Sequence, residues 1–156
     1  MSFTHINEKN HPKMVDVSDK KNTKRTATAK ASMFLGTEII NLFTNNELVT
    51  KKGPVFQTAI IAGIQAVKKT ADIIPMCHPL LINGVDIDIS VMDEACIEVI
   101  CKVTIEGKTG VEMEALTGAS AACLTVYDMC KAISQKIIIK EIKLVEKTGG
   151  RSDFKK

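Results

Sequence analysis

The stretch VDIDISVMDEACIEVICKVTI, Val85 to Ile105, decides the fold class. Val85, Ile87, Ile89 and Val91 alternate with Asp86, Asp88 and Ser90, the two-residue period of a strand with one dry face. MDEA (Met92–Ala95) makes a turn. Ile97, Val99, Cys101, Val103 and Ile105 then alternate with Glu98, Lys102 and Thr104. Two such runs around a short polar turn form an antiparallel hairpin.

Upstream, Arg25 to Leu35 alternates in the same way. Ala27, Ala29, Ala31, Met33 and Leu35 share one face, and Thr26, Thr28, Lys30 and Ser32 the other. GTEIINLFTNN (Gly36–Asn46) reads as a short helix closed by asparagines, and ELVTKKG (Glu47–Gly53) as a loop. Pro54, suited to a first helical turn, opens PVFQTAIIAGIQAVKKTADII. The polar arc of that helix holds only Gln57, Thr58, Gln65, Lys68 and Lys69. A helix so widely apolar needs cover on more than one side, which points to an oligomer. Downstream, EALTGASAACLTVYDMCKAI (Glu114–Ile133) predicts a helix with no charge from Ala115 to Tyr127. Its small residues Gly118 to Ala122 permit close backbone approach. IIIKEIKLVEK (Ile137–Lys147) is a last strand.

The predicted order is strand, two helices, strand, strand, helix, strand. With one extra helix this is the β-α-β-β-α-β plan of a ferredoxin-like sandwich, an α+β fold with helices on one face of an antiparallel sheet. Residues 1–22 are polar and expected to be partly disordered, 23–148 are expected to form a single ferredoxin-like domain, and 149–156 are expected to be a flexible tail.

The chain has 156 residues, 45% of them apolar and only 4% aromatic, so one domain with an aliphatic core is expected. A net charge of +3 is too weak to imply nucleic acid but suits a small anionic ligand. No apolar run is long enough to span a membrane. The N-terminus MSFTHINEKNHPK has no signal-peptide core, so the expected location is cytoplasmic. Five cysteines without a C-x-x-C pair argue against a disulfide framework and against structural zinc. EGKTG (Glu106–Gly110) ends like a phosphate loop, but Lys102 stands where that loop needs glycine.

Three groups of residues invite chemistry. IPMCHPL (Ile74–Leu80) holds Cys77 and His78 between two prolines, which pre-set the backbone. Metal ligation there is disfavoured, because adjacent ligands on a stiff segment are awkward. A histidine satisfied by a backbone carbonyl is the plain alternative. Asp128 and Lys131 are spaced to share a helix face. An exposed ion pair would contribute little there, whereas a partly buried lysine could have its pKa lowered enough to move protons. Lys51, Lys52, Lys147 and Arg151 are candidates for a phosphate group, each otherwise an ordinary surface charge.

GKTGVEMEALTGASAACLTVYDMCKA (Gly107–Ala132), with IPMCHPL, FQTAIIAGIQAVKKT, MVDVSDK and TGGRSDF, closely resembles the MoaC family of cyclic pyranopterin monophosphate synthases. The likeness runs from Thr4 to Lys155. It implies a ferredoxin-like fold assembled as a homohexamer, a trimer of dimers, with the active site at a subunit interface. It implies conversion of 3′,8-cyclo-7,8-dihydroguanosine 5′-triphosphate, made from GTP by a radical-SAM cyclase, to cyclic pyranopterin monophosphate with release of pyrophosphate, in molybdenum cofactor biosynthesis. It implies no resident cofactor, leaving open whether Mg²⁺ accompanies the triphosphate. The family's residues fall on Lys52, Asp128 and Lys131 as the catalytic group. They fall on His78, Glu112, Glu114 and Lys147 as the substrate-binding group, to which the stiff rim adds Met76 and Cys77, and the segment between the two glutamates adds Met113. Pro54 is a departure, standing where related sequences often have Asp.

That chemistry asks for general acids and bases and for cations around a triphosphate. Glu114 and Asp128 on one helix lie ~21 Å apart along its axis. Either the substrate spans that length or two subunits each supply one end. Two rival readings are a non-catalytic ferredoxin-like module that binds a small ligand and an RNA-recognition module. The second needs strand aromatics for base stacking, and residues 80–106 contain no Phe, Tyr or Trp.

Overall fold

A computed structural model describes residues 6–156, so the first five residues of the expected N-terminal segment lie outside the described residues. The predicted hairpin is present as β4 (Ile82–Val91) and β5 (Cys96–Gly107), paired antiparallel with Ile87 opposite Cys101. Asp93 shapes the turn, its carboxylate accepting from the N–H groups of Ala95 and Cys96 at 2.8 Å. β1 (Thr23–Phe34) lies against the far edge of β5, and β6 (Ile138–Thr148) against β1. The sheet order is β4-β5-β1-β6, with a two-residue strand β7 (Phe154–Lys155) beyond β6, antiparallel throughout. Taken by its four long strands, this is the ferredoxin-like order, and the α+β class read from the pattern is the observed one.

The helices lie on one face. α1 (Thr37–Ile40) is a single turn, shorter than predicted, before the chain turns through Asn45 and Asn46 in left-handed conformation. The expected loop contains a small ribbon, β2 (Val49–Thr50) with β3 (Gly53–Pro54). α2 (Val55–Lys68) begins one residue after Pro54, and a break at Lys69 separates it from α3 (Thr70–Ile73). α4 (Glu112–Cys130) follows β5. Ala27, Ala29 and Ala31 of β1 face Ala115, Ala119, Ala122 and Cys123 of α4, all fully buried. Small residues on both surfaces bring helix and sheet close. The larger inward side chains, Met33, Ile97, Val99, Val103 and Ile105, each contribute roughly 2 kcal/mol by leaving water.

α2 and α4 pack through glycines. A Cβ on Gly63 would meet Ile87 Cδ1 at 2.5 Å and the Gly118 carbonyl at 2.9 Å. The pair therefore sets the helix spacing. The C-terminal residues are not the free tail expected: Phe154–Lys155 forms β7 on the edge of β6, and the Asp153 carboxylate accepts from the Gly149 N–H at 3.0 Å. A two-residue strand has too little pattern to be read from sequence. Among the described residues, no helix is long and apolar enough to cross a membrane.

Candidate active site

α4 carries chemistry at both ends. At its N-terminal end, Met76, Cys77, His78, Glu112, Met113, Glu114 and Lys147 line one cavity of about 410 Å³. The turn from α3 into β4 brings the first three, with the Cys77 N–H donating to the Ile74 carbonyl at 3.0 Å. The first turn of α4 brings the two glutamates, where the helix dipole favours anions. β6 brings Lys147, whose ammonium pairs with Glu112 at 3.0 Å.

His78 Nε2 lies 2.9 Å from the Val15 carbonyl. A carbonyl only accepts, so Nε2 donates. The plain alternative for this histidine is thus a real contact, and His78 lines the cavity all the same. Glu114 is 3% exposed, and burial raises its carboxyl above the ordinary range, with the charge of Glu112 adding to the rise. Burial also raises the Cys77 thiol, which favours a neutral wall over a thiolate nucleophile. Cys101 and Cys123, pushed up to about 12 by burial, are core residues.

The cavity also holds cations that the sequence reading missed. Lys20 and Arg25 join Lys147 and Arg151 on its wall. Arg25 looked like the first residue of a strand; in the fold its Nε donates to the Gly107 carbonyl at 3.0 Å, placing the guanidinium beside the loop before α4. The polar segment before β1 contributes Val15, Val17 and Lys20, held down by His78 and by Lys108, whose ammonium donates to the Ser18 carbonyl at 2.6 Å. An arginine opening a strand beside MVDVSDK was the available signal.

At the other end of α4, Asp128 sits between two ammonium groups. Lys52, at the tip of the β2–β3 ribbon, pairs with Oδ2 at 2.6 Å and donates to the Asp128 carbonyl at 3.0 Å. Lys131 pairs with Oδ1 at 2.7 Å. These hydrogen bonds hold the Asp128 carboxyl down at about 2, and the bond to Asp128 raises the pKa of Lys131. The partly buried lysine with a lowered pKa that the sequence suggested is not found, because the Lys131 side chain is 52% exposed with an anion beside it. Lys51 is exposed next to Lys52.

The proposed residues therefore form two clusters. Both ends belong to one helix, so Glu114 and Asp128 lie ~21 Å apart along its axis. A ferredoxin-like α+β scaffold with a cation-lined cavity and a separate lysine–aspartate–lysine group is suited to proton transfer on a polyanionic ligand. The chain belongs to the MoaC family, whose model matches residues 14–150. It is 52% identical over 153 residues to the cyclic pyranopterin monophosphate synthase of Campylobacter jejuni subsp. jejuni serotype O:6, covering 97% of this chain and 96% of that one. It is 56% identical over 156 residues to the protein of the same name from Bacillus thuringiensis subsp. konkukian, covering 97% and 94%. A molybdenum cofactor biosynthesis bifunctional protein of Synechocystis is 53% identical over 155 residues, covering 97% of this chain and 45% of that one.

Proposed function

We propose that this chain is a lyase of molybdenum cofactor biosynthesis that converts 3′,8-cyclo-7,8-dihydroguanosine 5′-triphosphate to cyclic pyranopterin monophosphate, releasing pyrophosphate. The observation that carries the reading is the pair of clusters on α4, in a chain 52% identical along nearly its whole length to a named synthase. Lys20, Arg25, Lys147 and Arg151 offset the triphosphate charge, and Met76, Cys77 and His78 form the rim against the base-derived ring. Glu114, its carboxyl raised by burial, is suited to carry a proton. A ribose-derived hydroxyl attacks the α-phosphorus, its proton passes to a base, and the bond to the bridging oxygen breaks. Lys131, held as an ammonium by Asp128, acts as acid rather than base, and Lys52 adds positive charge at the phosphate. No step calls for a redox cofactor.

Two clusters ~21 Å apart favour a site completed by a second copy. This supports a homo-oligomer, a hexamer by family resemblance, with Lys52, Asp128 and Lys131 of one subunit facing the cavity of the next. A radical-SAM cyclase would supply the substrate in the cytoplasm, where five free thiols fit a reducing compartment. Incubating the protein with the cyclic intermediate and assaying pyrophosphate and the pyranopterin together tests the reading. Tight binding without either product would replace it with that of a binding module.

A further inference from the structure

α2 begins without a cap of its own: Pro54, at the N-cap position, makes no side-chain hydrogen bond. The N–H groups of the first turn instead find Glu47, from outside the helix. Its Oε1 accepts from Phe56 at 2.9 Å and its Oε2 from Gln57 at 3.2 Å. Oε1 also accepts from the Leu48 N–H at 2.8 Å. One carboxylate thus joins the residue before β2 to the first turn of α2 at the foot of the β2–β3 ribbon, where the Val55 N–H donates to the Leu48 carbonyl at 2.9 Å. Glu47 is itself pinned. Its N–H and carbonyl pair with Thr44 at 3.1 and 2.8 Å across a turn whose central residues, Asn45 and Asn46, have φ of 52° and 59°. Asparagine suits that conformation. Phe43 packs on Phe56 with ring centroids 4.8 Å apart, closing the same corner.

We propose that Glu47 is a positioning residue for Lys52. This rests on the reading of Lys52 as a group at the reacting phosphate. Lys52 sits at the ribbon tip and must reach Asp128 in the last turn of α4. α4 is packed on α2 through Gly63 and Gly118. A ribbon fixed to α2 therefore carries Lys52 on a lever of set length, and the Glu47 carboxylate is the side chain that, beside the Val55–Leu48 backbone bond, fixes its foot.

Lysine acylation by an N-hydroxysuccinimide ester, read by peptide mass spectrometry, reports Lys52 directly, with exposed Lys51 as the reference in the same peptide. In Glu47→Ala the Lys52 rate relative to Lys51 should rise about five-fold, the scale of one lost helix cap. kcat should fall by a similar factor, with KM changed less than about two-fold. Pro54→Asp in that background supplies an N-cap oxygen and should reverse both changes. Glu47→Gln, which keeps one acceptor oxygen, should lie between and covers the case of a poorly folded alanine variant. An unchanged Lys52 to Lys51 ratio, or a rise that Pro54→Asp does not reverse, overturns the proposal. A ratio that rises and is reversed while kcat stays level supports the tie and counts against Lys52 in the reaction.

Discussion

Asp128 stands in the last turn of α4, where the helix's partial negative charge disfavours an anion. Lys52 and Lys131 reverse that preference and hold its carboxyl near 2, below its ordinary 3.8. A folded value below the unfolded one means that the ion pairs stabilise the fold above pH 3.8 and lose that contribution as the pH falls toward 2. Acid unfolding of wild type and Asp128→Asn should therefore converge in that window; parallel curves would show the trio to be unimportant to stability. Lys131, with its pKa raised from 10.5, stays an ammonium at neutral pH. Lys131→Ala should lower kcat by ~10²–10⁴, the range of general acid–base catalysis. Its Tm should change little, because the lost side chain is 52% exposed. Near-normal turnover in that variant would return Lys131 to an ordinary surface charge.

Among the elements, α2 and α4 decide the geometry of both clusters. Helix propensity alone would favour alanine over Gly63 by about 1 kcal/mol. The added methyl, however, would strike the Gly118 backbone carbonyl at 2.9 Å and Ile87 Cδ1 at 2.5 Å. Backbone does not move aside cheaply, and overpacking of this kind costs about 1–3 kcal/mol. Gly63→Ala should thus lower the urea midpoint despite the better helix former. A raised midpoint would mean that the close approach is not required. β1, β4 and β5 were legible because each alternates over many residues. α3 and the β2–β3 ribbon were not, since each is one turn or two residues of a run whose pattern continues through the break.

For the whole molecule, the length of α4 matters most. Its two ends cannot both reach one phosphate in a single chain. α2 and α4 still expose Ile61 and Leu124, each more than half accessible, in keeping with helices apolar beyond what one chain covers. If two copies complete each site, mixing a His78→Ala variant with a Lys131→Ala variant should restore about a quarter of wild-type activity. Half of randomly paired dimers are then mixed, and each holds one intact site of two. Native mass spectrometry must show that subunits exchanged. Exchange without recovery would put His78 and Lys131 to work within one chain.

The sequence by itself determined the class of fold, the inward faces of β1, β4 and β5, and most of the residues of both clusters. Those are local matters: strand period, helix period and motif spacing are carried by neighbours along the chain. Only the tertiary structure decided that Lys20 and Arg25 share a cavity wall with Lys147, and that residues 154–155 close the sheet edge. It alone assigned the capping of α2 to Glu47 and brought Lys52, 76 residues away in sequence, to Asp128. Each of these depends on where distant segments meet. The strength of a charge or a hydrogen bond is set by the partner and burial found there, which no local pattern encodes.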